Sequence, residues 1–156
     1  MHVHPTRTAV LAALLVVTLA PAQPPVSLYG GVFRPGQEVR VGVSAPARTE
    51  LTLSRVEDPL GVFAATRDPH QPDLPPGTRL TRLRTLSTPK RDYGDVSLGR
   101  LPRGLYVLRA GGVGTLLLVS DLGLVVKRDA SGALTYAADR ESGRTRAARV
   151  WKLGTG

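Results

Sequence analysis

The chain has 156 residues, no cysteine, three histidines and a formal net charge of +9, from 21 basic and 12 acidic residues. The lack of cysteine excludes disulfides, thiol nucleophiles and Cys-ligated zinc, so a folded domain here rests on burial and backbone pairing alone. Eighteen of the basic residues are arginine, scattered singly, and aromatic residues make up only 4% of the chain, which argues against nucleic-acid binding because few rings are available to stack on bases.

The amino terminus reads as a secretory signal peptide. Arg7 gives a short basic start, and Ala9 to Ala20 (AVLAALLVVTLA) is apolar except for Thr18. Ala20 and Ala22 then stand at the two small-residue positions that signal peptidase reads. Cleavage is expected after Ala22, with Gln23 as the first mature residue and 1–22 as the leader. A bilayer span needs about 20 apolar residues, and this run is shorter. The mature chain is therefore expected to be periplasmic, cell-surface or secreted, without a membrane span.

Glycine and proline together supply 30 residues and punctuate the remainder into short runs. Val39-Arg40-Val41-Gly42-Val43 and Glu50 to Val56 alternate apolar with polar or small residues, the period of a half-buried strand. Asp68 to Gly77 (DPHQPDLPPG) holds four prolines in ten residues. It predicts an extended, solvated loop serving as an inter-sheet crossover. Leu80, Leu83 and Leu86 recur among threonines, as in an irregular edge strand. Leu105 to Ala110 and Thr115 to Val119 are more continuously apolar and read as central strands covered on both faces, joined by a hairpin at Ala110 to Gly114. Leu122 to Lys127 and Ala133 to Ala137 flank a second hairpin turn at Arg128 to Gly132. A last strand is expected over Ala148 to Leu153. No stretch of the mature chain carries a helical apolar stripe. The pattern predicts an all-β, antiparallel sandwich of the macroglobulin or Ig-like kind over 23–120. The signal helix precedes it, and 121–156 forms the opening strands of a second, incomplete sandwich.

Chemistry finds little to work with. His2 and His4 leave with the leader, and His70 lies alone among prolines. Glu57 and Asp58 are expected at a strand end, pointing to opposite faces, and Asp92 and Asp95 in a turn around Tyr93-Gly94. Either pair would have to converge in a cleft to serve glycoside hydrolysis. Asp129 and Ser131 fall in a hairpin turn without the alternating acids of a calcium loop. Gly111-Gly112-Val113-Gly114 precedes a strand, whereas a phosphate cradle needs a helix. Trp151 and Lys152 read as core and strand-edge residues. No catalytic, cofactor or metal residues are assigned, no cofactor is implied, and the chain is expected not to be an enzyme.

Four segments, in order, resemble those of bacterial alpha-2-macroglobulin-like proteins. Val32 to Val39 (VFRPGQEV) is similar to the strand, Pro-Gly, strand opening of a macroglobulin-type domain. Leu98 to Val107 (LGRLPRGLYV) resembles the family's Leu-Pro-x-Gly-x-Tyr strand, which implies an inward-packed tyrosine at Tyr106. Val119 to Lys127 is similar to the junction into the next domain. Asp139 to Val150 (DRESGRTRAARV) follows the family's turn-and-strand pattern, with Thr145 where proline is usual. The resemblance implies a non-catalytic, exported scaffold or interaction domain from a protease-trapping protein. Proteases would be partners through the full-length architecture, since this chain lacks the bait segment and the cysteine of a thioester. The alternative is a stand-alone exported Ig-like module that contacts acidic surface polymers through its arginines.

Overall fold

Two β-sheets face each other across an apolar layer in the computed structural model, which describes residues 26–68, 70, 72, 74–129 and 132–148. One sheet has three strands in the order β1-β3-β6, built from Ser27–Tyr29, Glu38–Ala45 and Arg91–Arg100. The other has five, in the order β2-β8-β7-β4-β5, from Gly31–Phe33, Val113–Val119, Gly104–Ala110, Thr49–Val56 and Leu80–Thr88. A separate two-stranded sheet follows, the hairpin of β9 (Leu122–Asp129) and β10 (Gly132–Asp139).

The first strand is split between the sheets. β1 pairs antiparallel with β3, the chain crosses at Gly30, and β2 then pairs parallel with β8. That parallel pair departs from the all-antiparallel expectation. It arises because a strand that switches sheets keeps its direction while its neighbour changes. Gly30 makes the crossing possible: a Cβ there would lie 2.3 Å from the Leu116 carbonyl oxygen and 2.4 Å from Thr115 Oγ1. Its N–H donates to Thr115 Oγ1 at 3.1 Å.

Alternation along the strands fills the space between the sheets. Val39, Val41 and Val43 from β3 meet Leu51 and Leu53 from β4, Tyr106 and Leu108 from β7, and Leu117 and Val119 from β8. Leu105, Val107 and Leu116 point the other way, into a second cluster with Val56 and Val62. The continuous apolar runs of β7 and β8 are thus explained, because both of their faces are covered.

The cover on that outer face was not legible in the pattern. Pro59–Ala65 forms a helix, α1, with Asp58 as its N-cap and proline in its first turn. The Asp58 carboxylate accepts from the Gly61 N–H at 3.4 Å. Asp58 is therefore a helix cap and not the end of a strand. The proline-rich stretch is no inter-sheet crossover either. It returns the chain from α1 to β5, which is the neighbour of β4 in the same sheet, and on the way Leu74 packs against the outer cluster.

β5 is the edge strand expected from its leucine spacing, and a bulge explains that spacing. Leu53 pairs with Arg84 and Ser54 with Arg82, which leaves Leu83 as the extra residue. One inserted residue turns the pleat over. Leu86 consequently joins the inter-sheet core and Leu80 the outer cluster, although their six-residue separation would place both on one face of a regular strand. Asp92 and Asp95 lie within β6; in place of the expected turn the strand keeps its pairing with β3 and takes up the irregularity as a register shift, between Val43↔Gly94 and Ala45↔Arg91. The signal helix, the cleavage residues Ala20, Ala22 and Gln23, the expected strand beyond Ala148, and Trp151 and Lys152 all lie outside the described residues.

Candidate functional site

A cluster of charged residues assembles where the sandwich hands over to the hairpin. β8 ends at Val119 and β9 starts at Leu122, so the joint is Ser120-Asp121. Ser120 continues the β2–β8 ladder by donating its N–H to the Phe33 carbonyl at 2.9 Å. Its hydroxyl accepts from the Leu122 N–H at 3.1 Å. A backbone that satisfies its polar groups this way has a fixed course through the joint.

Asp121 ties the two units together. Its Oδ2 accepts from Arg103 Nη2 at 2.6 Å, in the loop that leads into β7, and from Arg146 Nη2 at 3.2 Å. The same Arg146 nitrogen reaches Asp139 Oδ2 at 3.2 Å. The Arg140 N–H donates to the Asp121 carbonyl at 2.8 Å, and Arg34 Nη2 from the β2–β3 turn donates to the Arg140 carbonyl at 3.2 Å. Around these bonds lies a cleft of about 830 Å³ whose walls include Arg34, Arg103, Asp121, Asp139 and Arg146. The arginines are half or more exposed, so each pair alone contributes little to stability in water. The network instead fixes orientation, because two separate segments, at Arg103 and at Arg146, converge on the one carboxylate of the joint.

The far wall is a tight turn set by Asp139. Its Oδ1 accepts from the N–H groups of Glu141 and Ser142, at 3.1 and 2.9 Å, and from the Ser142 hydroxyl at 3.0 Å. Gly143 closes the turn with φ of +69°, a conformation that favours glycine. The chain then runs back beside β10, with a bridge between Ala138 and Thr145. Bonds from Ser142, followed by those from Glu141 and the charge of Arg146, hold the Asp139 carboxyl down at about 2. An unfolded aspartate titrates near 3.8. The carboxylate therefore supports the turn fully above that value, and the support is lost as pH falls from about 4 through about 2. The protection of the Glu141 to Gly143 amides, taken relative to intrinsic exchange at each pH, should fall across that window, and Asp139→Asn should abolish the pH step. Protection that stays constant over the window would refute this role for Asp139.

Two carboxylates thus meet in a cleft, but they are Asp121 and Asp139, not the pairs singled out from the sequence. Glycoside hydrolysis needs one member to hold a proton near neutral pH. Asp139 is held ionised, and Asp121 accepts from two guanidinium groups, one of which also bonds Asp139, an arrangement of ion pairs. Among the described residues, no group of three or more His, Cys, Asp or Glu could hold a metal ion. His70 is exposed beside an apolar hollow of about 240 Å³ that Phe63, Val32 and Leu118 also line, and its N–H donates to the Asp68 carboxylate at 2.8 Å. Gly111 and Gly112 form the two-residue β7–β8 turn. Asp129 ends β9, and Ser131 lies outside the described residues. The Asp121 network left no local signal, since Arg103, Asp121 and Arg146 are far apart in the chain and adjacent only in space. No helix among the described residues is long and apolar enough to cross a membrane.

Tyr106 lies in β7, three residues beyond Arg103. It is fully buried between the sheets, and its hydroxyl donates to the Pro102 carbonyl at 2.6 Å. A tyrosine entering a late strand and bonding back to the loop behind it is a recurrent corner of β-sandwiches. Comparison with solved structures returns two fragments of native alpha-2-macroglobulin from Escherichia coli. The fragment spanning domains MG0-NIE-MG1 aligns with a TM-score of 0.55 and 16% identity, over 80% of this chain and 48% of its own length. The fragment spanning NIE-MG1 aligns with a TM-score of 0.51 and 17% identity, over 78% of this chain and 73% of its own. The fold is that of a macroglobulin-type β-sandwich. At this identity the likeness is one of architecture, and this chain spans about half of the first neighbour. No protein-family model matches the sequence, and no curated protein matches it. Within the macroglobulin-type fold, the Pro35-Gly36 turn between β2 and β3 and the inward Tyr106 occupy the places that the sequence motifs implied.

Proposed function

We propose that this chain is a non-catalytic, exported scaffold from an alpha-2-macroglobulin-like protein. In this reading 1–22 is a leader removed before Gln23, 23–120 is one macroglobulin-type sandwich, and 121–156 opens a second. Proteases are partners of the larger architecture only; this chain has no cysteine from which to build a thioester. The observation that carries the reading is the Asp121 joint. Ion pairs from Arg103 on one side and Arg146 on the other hold a complete sandwich against a hairpin that forms its own sheet. A two-stranded sheet alone is marginal in water, so the hairpin needs further strands to make a core of its own.

Hydrogen-exchange mass spectrometry on the exported protein tests this. The intact mass should place the amino terminus at Gln23. Peptides from Leu122–Asp129 and Gly132–Asp139 should exchange well ahead of those from Gly104–Ala110 and Val113–Val119, because an unsupported hairpin opens locally. Equal protection of the two regions would overturn the two-unit division, and an intact mass retaining the leader would overturn export.

A further inference from the structure

The outer face of the five-stranded sheet divides into two surfaces. At one end α1 and Leu74 cover the apolar row around Val56, Leu105 and Leu116. The other end is open and mixed in character, and forms a cleft of about 430 Å³ where Leu80 of the apolar row borders polar and charged side chains. Its floor is β4, which presents Thr52 and Ser54. Arg109 of β7 pairs directly with Thr52 on one side, and Arg82 of β5 pairs directly with Ser54 on the other. The two arginines therefore rise from the strands flanking β4 and are offset by two residues along it, about 12 Å apart between backbones, with two hydroxyls between them.

Neither Arg82 nor Arg109 has a hydrogen-bond or ion-pair partner among the described residues. Arg40, Arg48, Arg103 and Arg146 spend their guanidinium groups on neighbouring side chains; the side chains of Arg79, Arg100 and Arg144 likewise make no hydrogen bond or ion pair among the described residues, so the cleft pair is set apart by facing each other across β4. We infer that the Arg82–Arg109 cleft is a binding site for an oxyanion-bearing sugar of an acidic polysaccharide. Guanidinium forks match carboxylate and sulfate oxygens in a two-point geometry, and the Thr52 and Ser54 hydroxyls complete the donor set. The cleft volume lies in the range of small-ligand sites. Glu50 also lines the cleft; its carboxylate can accept from neutral sugar hydroxyls and repels an anion placed beside it, which directs the oxyanion toward the arginines. No aromatic side chain lines the cleft, and this disfavours nucleic acid, whose bases need a stacking surface. The net charge of +9 draws a polyanion toward the site from a distance.

Affinity electrophoresis of the exported protein at low ionic strength, through gels holding polygalacturonate, dextran sulfate or uncharged dextran, tests the inference. At least one charged polymer should retard the protein and uncharged dextran should not. The arm that retards more strongly identifies carboxylate or sulfate as the group bound. Arg82→Gln with Arg109→Gln should weaken retardation roughly tenfold or more with an unchanged melting midpoint. Arg100→Gln with Arg144→Gln removes the same charge elsewhere and should weaken it far less. Equal loss in both double variants would overturn the site in favour of diffuse charge attraction, and so would the absence of retardation by either charged polymer.

Discussion

Gly30→Ala should lower the stability of the domain by about 3 kcal/mol, the upper end of ordinary single substitutions, and its melting midpoint by roughly 10 °C or more. The added methyl would sit 2.3 Å from the Leu116 carbonyl and 2.4 Å from Thr115 Oγ1. Neither atom can give way: one is backbone, and the other belongs to a fully buried side chain. β1 or β2 must therefore leave its partner, and the bond from Gly30 N–H to Thr115 goes with it. Gly112→Ala is the matched control, because a Cβ there meets nothing within 4 Å. Thermal unfolding of the two variants should separate them clearly. Coincident midpoints would show that the strand crossing is looser than described.

Tyr106→Ala should cost about 3–5 kcal/mol, as for other large-to-small changes of buried aromatics. The ring is fully buried in the inter-sheet core, so its loss opens a void between the sheets. Tyr106→Phe keeps the ring and removes only the donor, leaving the Pro102 carbonyl without its partner, and should cost about 1–2 kcal/mol. Burial raises the phenol pKa, with the charge of Arg55 opposing, so the hydroxyl keeps the proton it donates. Denaturant unfolding should reproduce the order of the two variants at a common slope. Equal stability of the Tyr106→Phe variant and the wild-type protein would remove the hydroxyl from the account. Because Pro102 adjoins Arg103, the same variant should also loosen the Arg103–Asp121 pair.

What could be read from residues alone depended on how local the cause was. The alternation of Val39 to Val43 marks β3, because every second side chain enters one core. The unbroken runs of β7 and β8 announce cover on both faces, yet say nothing of what supplies it. That cover, α1, has only seven residues, too few for a helical stripe to emerge. Asp58-Pro59 is its one local signature, a cap followed by a proline at the first position. Asp92 and Asp95 look like turn residues beside Gly94, but pairing with β3 overrides that preference. The Asp139 turn was visible as Asp-x-x-Ser-Gly, since its bonds close within four residues. The Asp121 network and the Arg82–Arg109 cleft were not visible, because register across strands far apart in the chain creates both.

The parallel ladder between β2 and β8 has a mechanical consequence. Beyond β1 the chain enters the five-stranded sheet at β2, and the link to the hairpin leaves from the far end of β8. Tension between those points, once β1 has peeled from β3, drags the two strands lengthwise past each other. The ladder bonds and the Ser120–Phe33 bond then carry the load together. The β9–β10 hairpin is held at its open end, at Leu122 and Asp139, where a pull parts its bonds one after another. Stretched from end to end, the chain should yield first at the hairpin, while the sandwich resists as a clamp.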